Sequence, residues 1–459
     1  MIAPGPASPD QRPTHARYWL ILVLFLVTTL NYADRATISI VGPVLKDEFK
    51  LDSVTRGWLL SAFSWSYALL QIPGGWLLDR LGSRRVYRWS IVTWSFFTIA
   101  QGFLFGQEHL FTIHRLFWAP IVVSGAVVML FSLRVLLGIA EAPSFPANSR
   151  LVAAWFPTKE RGLAAAIFNS AQYFATVLFN PLMTAILKLL SWQWVFGIMG
   201  GVGLVVGAFW NRLVRNPREH PGANAAEIEH IQRGGGLVDL DRSGAAPPKR
   251  PGLILELLKN RMMLGIFLGQ YCINVLTWFF LTWFFIYLVE DRGMTMLKAG
   301  FVSVLPALCG FVGGVLGGWI SDQLLRSGRS LSVARKTPLV AGLLLSTTIV
   351  ACNYVEAQWA VIFFMSLSFF GKGVGALGWA VMSDVAPKEA TGLAGGLFNT
   401  FGNLAGIITP IVIGYILKNT GSFNGALVYV GAHALIAVVS FLVIVGEIKR
   451  FELPTAAKA

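Results

Sequence analysis

The sequence predicts an all-α integral membrane protein with 12 transmembrane helices in two six-helix halves and with both termini in the cytoplasm. Three observations predict this fold: the composition, the number of apolar stretches, and the placement of Lys and Arg. Of the 459 residues, 55% are hydrophobic and 13% are charged, whereas charged residues make up about a quarter of a soluble globular chain. A fully water-exposed surface is therefore excluded, and the chain folds in a lipid bilayer.

Apolar stretches define the spans, because a helix needs about 20 apolar residues to cross the hydrocarbon core. The twelve predicted spans lie near residues 18–42, 56–78, 86–106, 118–144, 161–189, 193–213, 261–288, 298–324, 335–354, 357–382, 390–417 and 424–447. The first stretch is longer than the core of a signal peptide and is followed by no small-residue cleavage pattern. We therefore expect it to remain in the mature protein.

Lys and Arg predict the orientation of the spans. Segments on the side of the N-terminus hold 26 of the 37 Lys and Arg residues, and the opposite segments hold eight. Because basic residues accumulate on the cytoplasmic side, both termini and the central loop are predicted to be cytoplasmic. The predicted organisation is an N-terminal tail at 1–17, a first half at 18–213, a linker at 214–259, a second half at 260–447 and a C-terminal tail at 448–459. The net charge of +14 then favours contact with anionic lipid over nucleic-acid binding.

Two sequence motifs occur twice, in the same order, on either side of the linker. GGWLLDRLGSRR at 74–85 returns as GGWISDQLLRSGR at 317–329, an offset of 243 residues. GLAAAIFN at 162–169 returns as GLAGGLFN at 392–399, an offset of 230. The repeats indicate duplicated halves in parallel orientation, and the difference between the offsets predicts an insertion near 107–119, in an outward loop of unassigned role.

These motifs resemble those of a known group of transporters. The repeated GG-W-x-x-D pattern, the division into six and six helices and the inward central loop resemble the major facilitator superfamily. NYADRA at 31–36 and FLTWFFIYLVEDRG at 280–293 resemble its anion:cation symporter family, which carries organic anions. Within that family, FNSAQYF, FFGKGVGALGW and SDVAPKEATGL are most similar to the bacterial glucarate and galactarate permeases.

The resemblance implies a proton-coupled importer of sugar diacids (aldarates) that works by alternating access in the bacterial inner membrane. Its expected partners are a small organic anion, a proton and membrane lipid, and we expect a functional monomer. We expect no enzyme activity, cofactor or metal, because the sequence offers no nucleophile with a base and no metal-ligand spacing.

Five ionisable residues interrupt the apolar spans, where each costs about 2.5 to 3.5 kcal/mol on insertion scales. They are Asp34, Arg35, Arg134, Glu141 and Lys372. The set carries a net charge of +1 when all are ionised, which suits an anionic substrate; static ion pairs are the alternative. The resemblance implies that Asp34 and Glu141 are the protonatable carboxylates and that Arg35 and Arg134 are their cationic partners.

Lys372 is the most discriminating of the five. The resemblance implies lysine there in aldarate carriers and a neutral residue in relatives that carry sugar monoacids. An arginine of the first half and a lysine of the second could each hold one carboxylate of a diacid. The alternative is that Lys372 only pairs with a buried acid or extends to an interface.

Uncharged polar side chains form stripes on otherwise apolar helices. The pairs, three or four residues apart, are Tyr67 with Gln71, Asn169 with Gln172, Gln270 with Asn274, and Asn399 with Asn403. Such groups bind sugar hydroxyls, or hold helices together. The resemblance implies that Tyr67, Gln172, Gln270 and Asn399 line the substrate site, and Asn274 joins them as a candidate; for Trp278, Trp283 and Trp379 aromatic packing is the better interpretation.

A second group of candidates lies at the cytoplasmic helix ends, within the repeated motif. Asp79, Arg84 and Arg85, with Asp322 and Arg329 in the second copy, are expected to act as conformational latches. An aspartate at such a position can cap a neighbouring helix and pair with arginine.

Other functions remain open at this point. The same fold could carry sugar monoacids such as galactonate or other organic anions, or could work as an anion exchanger or a sodium-coupled carrier. The absence of an evident oxygen cage around Asp34 disfavours sodium coupling. A membrane enzyme or a receptor has no supporting motif.

Overall fold

The computed structural model describes residues 12–103, 110–116, 119–240, 253–387 and 391–452, and only the backbone of 110–124 and 391–392 within them. The first half and the linker contain α1 (Ala16–Phe49), α2 (Ser53–Leu81), α3 (Ser83–Gln101), α4 (Gly125–Glu141), α5 (Ser144–Trp155), α6 (Arg161–Leu189), α7 (Trp192–Leu213), α8 (Ala225–Arg233) and α9 (Leu253–Lys259). The remaining helices are α10 (Arg261–Thr282), α11 (Phe284–Ile286), α12 (Met296–Val302), α13 (Val304–Arg326), α14 (Leu331–Ser346), α15 (Gln358–Val374), α16 (Gly378–Val385), α17 (Thr391–Thr420) and α18 (Asn424–Val439).

Side-chain caps mark where several of these helices begin. Asn260 Oδ1 accepts a hydrogen bond of 3.0 Å from the Met263 amide at the start of α10. Ser330 Oγ does the same for the Val333 amide at the start of α14, at 3.4 Å. Each cap satisfies one of the backbone amides that the first turn of a helix leaves without a partner.

Helices occupy all twelve predicted positions, but not all of them meet the criteria for a span. In the described part of the chain, ten helical stretches are long and apolar enough to cross a membrane. The exceptions are α2 and α3. Both carry many polar groups; α3 alone includes Arg84, Arg85 and Arg88. The ten stretches confirm a helical membrane protein, and the finer figure of twelve spans stays a prediction.

One short hairpin departs from the all-α expectation. Strands β1 (Leu110–Leu116) and β2 (Ala119–Ser124) pair antiparallel, with Leu110 opposite Ser124 and an irregular register after Ile113. The hairpin lies at the predicted insertion, and α4 begins at Gly125, so the expected helix start near 118 is wrong. LFTIHRL and APIVVS contain several β-branched residues, which favour strands.

The described residues form two compact units. Unit 1 comprises 12–37, 66–179 and 185–240, and unit 2 comprises 38–65, 180–184 and 253–452. In unit 1, α3 and α7 pack closely because Gly200 and Gly207 lack side chains: a Cβ on Gly200 would lie 2.6 Å from the Ser95 carbonyl oxygen. In unit 2, Cβ atoms on Gly313 and Gly317 of α13 would overlap backbone carbonyls of α15. Such close approach of backbones is typical of helix packing in lipid.

Part of the predicted polar linker is folded onto unit 1. Glu227 of α8 is buried and accepts two hydrogen bonds from Arg17 Nη1, at 2.8 and 2.9 Å. Arg17 Nε also donates to Glu160 at 2.9 Å, and the Leu237 amide donates to the Ala153 carbonyl. The first part of the linker therefore ties the start of α1 to the end of α5.

Candidate functional site

A buried ion pair in unit 1 joins α1 to the end of α4. Arg35 Nε donates to Glu141 Oε2 at 2.9 Å, and both side chains are almost fully buried. Glu141 is the last residue of α4, and the helix is interrupted there before α5 begins at Ser144. Carbonyls at a helix C-terminus carry partial negative charge, so an ionised Glu141 depends on a cation, and Arg35 supplies it.

Arg35 is also held by neutral groups. Its Nη2 donates to Asn31 Oδ1, one turn earlier on α1, at 2.7 Å. Its guanidinium carbon lies 4.4 Å from the ring centroid of Tyr67, 4.9 Å from that of Tyr32 and 5.9 Å from that of Phe145. These cation–π contacts and the bond to Asn31 do not depend on a proton, so they can hold the guanidinium in place when Glu141 does not. Sequence analysis missed Asn31, although NYADRA includes it.

Asp34 and Arg134 form the other charged part of the cluster. Asp34 is fully buried, and neither of its carboxylate oxygens accepts a well-formed hydrogen bond from a described residue. It interacts electrostatically with Arg134 and Arg35, and the Trp94 indole lies beside it. Arg134 Nη2 donates to the Arg35 backbone carbonyl at 3.5 Å. All four charged residues predicted for this half are thus brought together.

Asp34 and Arg35 do not pair with each other although they are neighbours in the chain. Consecutive residues of a helix point about 100° apart, so Arg35 meets Glu141 on α4 while Asp34 faces other groups. The partner of each residue could therefore not be predicted from the order of residues in the chain.

The uncharged candidates of unit 1 divide into two groups. Tyr67 and Gln71 are buried on α2 and interact with each other. On α6, Asn169 Nδ2 donates to the Ala165 carbonyl of its own helix at 2.8 Å, while the half-buried Gln172 has no side-chain hydrogen bond to the described residues. Tyr67 therefore belongs to the Arg35 cluster, whereas Asn169 bonds within its own helix.

Unit 2 has its own polar stripe, on α10 and α17. Gln270 and Asn274 are half-buried, and neither side chain hydrogen-bonds to another described residue. Asn403 Nδ2 donates to the Asn399 carbonyl within α17 at 2.8 Å. The stripe contains no carboxylate, whereas the buried cluster of unit 1 contains Asp34 and Glu141.

Lys372 lies where the predicted tenth span is interrupted. Its side chain is buried, and Nζ lies 5.2 Å from the Phe369 ring centroid. Helix α15 ends at Val374 and α16 begins at Gly378. The interruption falls within the stretch Gln358–Val385, which corresponds to the predicted span near 357–382. Interrupted helices are common at the binding sites of secondary transporters.

The three tryptophans pack with other groups of unit 2. Trp278 and Trp283 are buried, and Trp283 Nε1 donates to the Pro410 carbonyl at 3.2 Å. Trp379 is exposed on one side and makes an edge contact with Phe398, with 4.8 Å between centroids. These contacts agree with the packing interpretation.

The first copy of the repeated motif places Asp79 in an ion pair with Arg150, near the end of α5. Arg84 pairs instead with Glu219, at 3.6 Å, and Arg85 is exposed. The partner of Asp79 was missed, because Arg150 lies 71 residues further along the chain.

The second copy has a different arrangement. Arg335 Nε donates to Asp384 Oδ2 at 2.7 Å, and Arg335 Nη1 lies 3.8 Å from Asp322 Oδ1. Arg335 also donates to Ser321 Oγ at 2.9 Å, whereas Arg329 is exposed. The centre of this cluster is therefore Arg335, which sequence analysis did not select.

A further ionic cluster was missed at the opposite end of α2 from Asp79. Glu290 pairs with Lys46 at 3.0 Å and with the buried Arg56 at 2.6 Å. Asp52 lies 3.5 Å from Lys418. All five residues belong to unit 2. The signal was a set of charges at the ends of apolar runs, but their partners lie more than 200 residues apart in the chain.

The described part of the chain contains His, Cys, Asp and Glu side chains, the residue types that commonly bind metal ions. No group of three or more His, Cys, Asp or Glu side chains there could hold a metal ion. The expectation of a protein without metal or cofactor stays a prediction.

The family model for the major facilitator superfamily matches residues 24–408. The chain belongs to the major facilitator superfamily. Together with its apolar helices, membership makes it a multi-pass membrane transporter. Among solved structures, it resembles a D-xylose–proton symporter with a TM-score of 0.69, at 16% identity, over 94% of this chain and 98% of that chain. At this identity the likeness shows the fold alone.

Several curated relatives match the transporter along nearly its whole length. The "Probable galactarate/D-glucarate transporter GudP" of Escherichia coli (strain K12) is 57% identical over 98% of both chains. The "Probable galactarate/D-glucarate transporter GarP" of the same strain is 53% identical, over 96% of this chain and 98% of the relative. A "D-galactonate transporter" of Escherichia coli O6:H1 (strain CFT073) is 40% identical, over 96% of this chain and 98% of the relative.

Proposed function

We propose that this transporter imports the aldarates galactarate and D-glucarate together with protons across the inner membrane of a bacterium. Full-length identity of 53–57% to relatives that bear these substrates in their names supports the choice of substrate. The observation that carries the mechanism is the buried pair of Arg35 and Glu141.

The proposed coupling is a competition for Arg35. While Glu141 is ionised, it occupies the Nε donor of Arg35, and a substrate carboxylate must displace it. A proton on Glu141 removes this competitor and leaves a guanidinium that Asn31 and Tyr67 still hold. Proton and anion binding therefore favour each other, and loss of the proton expels the anion. We propose that Asp34 and Arg134 act in the same way, so that a proton on Asp34 frees Arg134 for the anion.

A diacid needs a second cation, and the buried Lys372 of unit 2 is the proposed partner of its other carboxylate. The second candidate substrate is a sugar monoacid, which the 40% identity to the D-galactonate transporter favours. Lys372 distinguishes the two, because a monoacid has no second carboxylate to pair with it.

We further propose that both termini and the linker are cytoplasmic, that the monomer is the functional unit, and that the Asp79 and Asp322 clusters act as latches on that side. The excess of Lys and Arg in these segments supports the orientation. Labelling of a single cysteine introduced at residue 452 should require permeable cells; labelling in intact cells would contradict this orientation.

Uptake by sealed proteoliposomes tests the proposed function. With an alkaline interior, labelled galactarate or D-glucarate should accumulate above the external concentration, and a protonophore should abolish this accumulation. A sodium gradient, or an internal counter-anion at equal pH, should drive no net accumulation. Accumulation driven only by sodium or by a counter-anion would show that the protein is a sodium-coupled carrier or an anion exchanger and not a proton symporter. Uptake of monoacids alone would show that sugar monoacids, and not aldarates, are the substrates.

A further inference from the structure

The glycines of unit 2 differ in what lies beside them, and two of these differences concern substrate selection. Cβ atoms on Gly313 and Gly317, or on Gly342 of α14, would overlap backbone carbonyl oxygens of α15. Those glycines permit helices to approach, which is their usual role in lipid. Two others, Gly378 and Gly402, face side chains instead.

Gly402 and Gly378 face the two amides of α10. A Cβ on Gly402 would lie 2.5 Å from Asn274 Nδ2 and 3.2 Å from Gln270 Cγ. A Cβ on Gly378 would overlap Gln270 Oε1 and lie 2.9 Å from Phe398 Cζ. An alanine at either position therefore displaces an amide from its observed position. At Gly402 the nearest atom belongs to a flexible side-chain end, so the helices need not move, whereas an alanine at Gly378 would also shift the buried ring of Phe398.

The helical context does not explain glycine at residue 402. Glycine in a helix interior is less favourable than alanine, and on the same helix a Cβ on Gly396 would meet nothing within 4 Å. An alanine at residue 402 would be too close to the side chains of Asn274 and Gln270. Neither amide hydrogen-bonds to another described residue, so their donors and acceptors remain open to a ligand.

We propose that Gly402 and Gly378 are positioning residues that set substrate specificity by fixing the amides of Asn274 and Gln270. This inference rests on the proposed function. Galactarate and D-glucarate differ only in hydroxyl stereochemistry, so a transporter separates them by where its hydrogen-bonding groups stand. Because each glycine lacks a side chain, it leaves room for the amide at its observed position, whereas an amide displaced by a methyl group meets the hydroxyls at a different place.

Binding measurements on the purified full-length transporter test the proposal. Wild-type affinities for galactarate and D-glucarate are measured first, and failure to bind either would refute the proposed function independently of the glycines. Gly402→Ala should then change the ratio of the two affinities by about 2- to 12-fold, the effect of one hydrogen bond gained or lost. Gly396→Ala, on the same helix, should leave the ratio unchanged.

A double-mutant cycle separates positioning from a general effect on packing. If Gly402 acts through Asn274, adding Gly402→Ala to Asn274→Ala should produce little further change in the ratio. The same relation should hold between Gly378→Ala and Gln270→Ala. Thermal unfolding shows which variants fold, and the Gly378 pair provides the test if Gly402→Ala does not.

Three results would overturn the proposal. One is an unchanged ratio of the two affinities in Gly402→Ala and Gly378→Ala, or in whichever of the two folds. The second is an equal change in Gly396→Ala. The third is full additivity of the glycine and amide substitutions, because a positioning residue cannot act once the group that it positions has been removed.

Discussion

Units 1 and 2 bury polar groups inside their helices in different ways. Where α1 meets α4, unit 1 encloses two carboxylates and two guanidinium groups and brings them together across these helices. On α10 and α17, unit 2 places amides against glycines, and it adds one ammonium group on α15. A proton can switch a carboxylate but not an amide. This contrast is the basis of our proposal that the first arrangement couples transport to protons and the second recognises the substrate.

Neutralising the carboxylates of unit 1 should have the largest effect. Asp34→Asn and Glu141→Gln should each abolish accumulation driven by a pH gradient, because a permanently neutral side chain cannot return its proton. Counterflow at equal pH can survive, since it needs no net proton movement. Uptake in proteoliposomes measures both activities.

Asp52→Asn is the matched control for these variants, because that carboxylate is about half exposed. It should retain uphill transport. Normal accumulation by both Asp34→Asn and Glu141→Gln would show that the protons travel by another route and would remove the contrast between the units.

Lys372→Asn should have the next largest effect. It removes a charge-assisted contact of about 1.5 to 3 kcal/mol, which corresponds to roughly 10- to 150-fold in diacid affinity. A sugar monoacid should lose much less. The ratio of diacid to monoacid affinity, measured at one pH and ionic strength, tests whether Lys372 binds the second carboxylate.

Lys418→Asn is the control for loss of a lysine outside the helix interior, since Lys418 is more than half exposed. It should leave the ratio unchanged. If Lys372→Asn also leaves it unchanged, Lys372 does not hold the second carboxylate.

Asp79→Ala should alter the balance of inward-open and outward-open states and change substrate affinity far less than Arg35→Ala does. The reason is that Asp79 lies near the end of α2 and pairs with Arg150, not with a residue of the buried cluster. Arg150→Ala should therefore reproduce the effect. Accessibility of cysteines introduced at the two helix ends measures the state balance, and equilibrium binding measures the affinity.

The latch interpretation makes the two substitutions interdependent. Asp79→Ala combined with Arg150→Ala should be no worse than either alone. A loss of affinity as large as that of Arg35→Ala, without altered accessibility, would count against it.

The smallest effect is expected from the exposed pair of Asp52 and Lys418. Burial raises the pKa of Asp52, but hydrogen bonds from Thr55 and the charge of Lys418 outweigh it, and the pKa lies below its ordinary value. The group therefore stabilises the fold above the pKa of the unfolded state, about 3.9, and this contribution disappears as the pH falls through the lower folded-state pKa.

Asp52→Asn should thus lower the free energy of unfolding by about 0 to 1 kcal/mol at pH 7, with a difference that shrinks as the pH falls below about 4. Thermal unfolding of wild type and variant at several pH values measures it. A loss well above this range at pH 7 would mean that exposed pairs matter as much as buried ones.

The sequence predicted the buried charges but not their geometry. Four charged residues were recognisable because a charge inside an apolar span is costly whatever the neighbouring helices are. They are Asp34, Arg35, Arg134 and Glu141. Their pairing was not predictable, because it depends on the rotation of α1 relative to α4. The same reason explains why Arg150 was not recognised as the partner of Asp79.

Glycines illustrate the limit most clearly. Gly313 and Gly402 look alike in the sequence, each within a glycine-rich helix. Only the neighbouring helix shows that the first lies against a backbone carbonyl and the second against the Asn274 amide.

The sequence by itself determined the medium, the helical class and the family, since hydropathy and motifs are properties of short segments. It also selected the ionisable residues, because the cost of charge in lipid is local. The tertiary structure decided which charges pair, where the tenth predicted span is interrupted, and which glycines accommodate side chains. Each of these depends on the distance between atoms of helices far apart in the chain, and that distance is settled only when the helices pack.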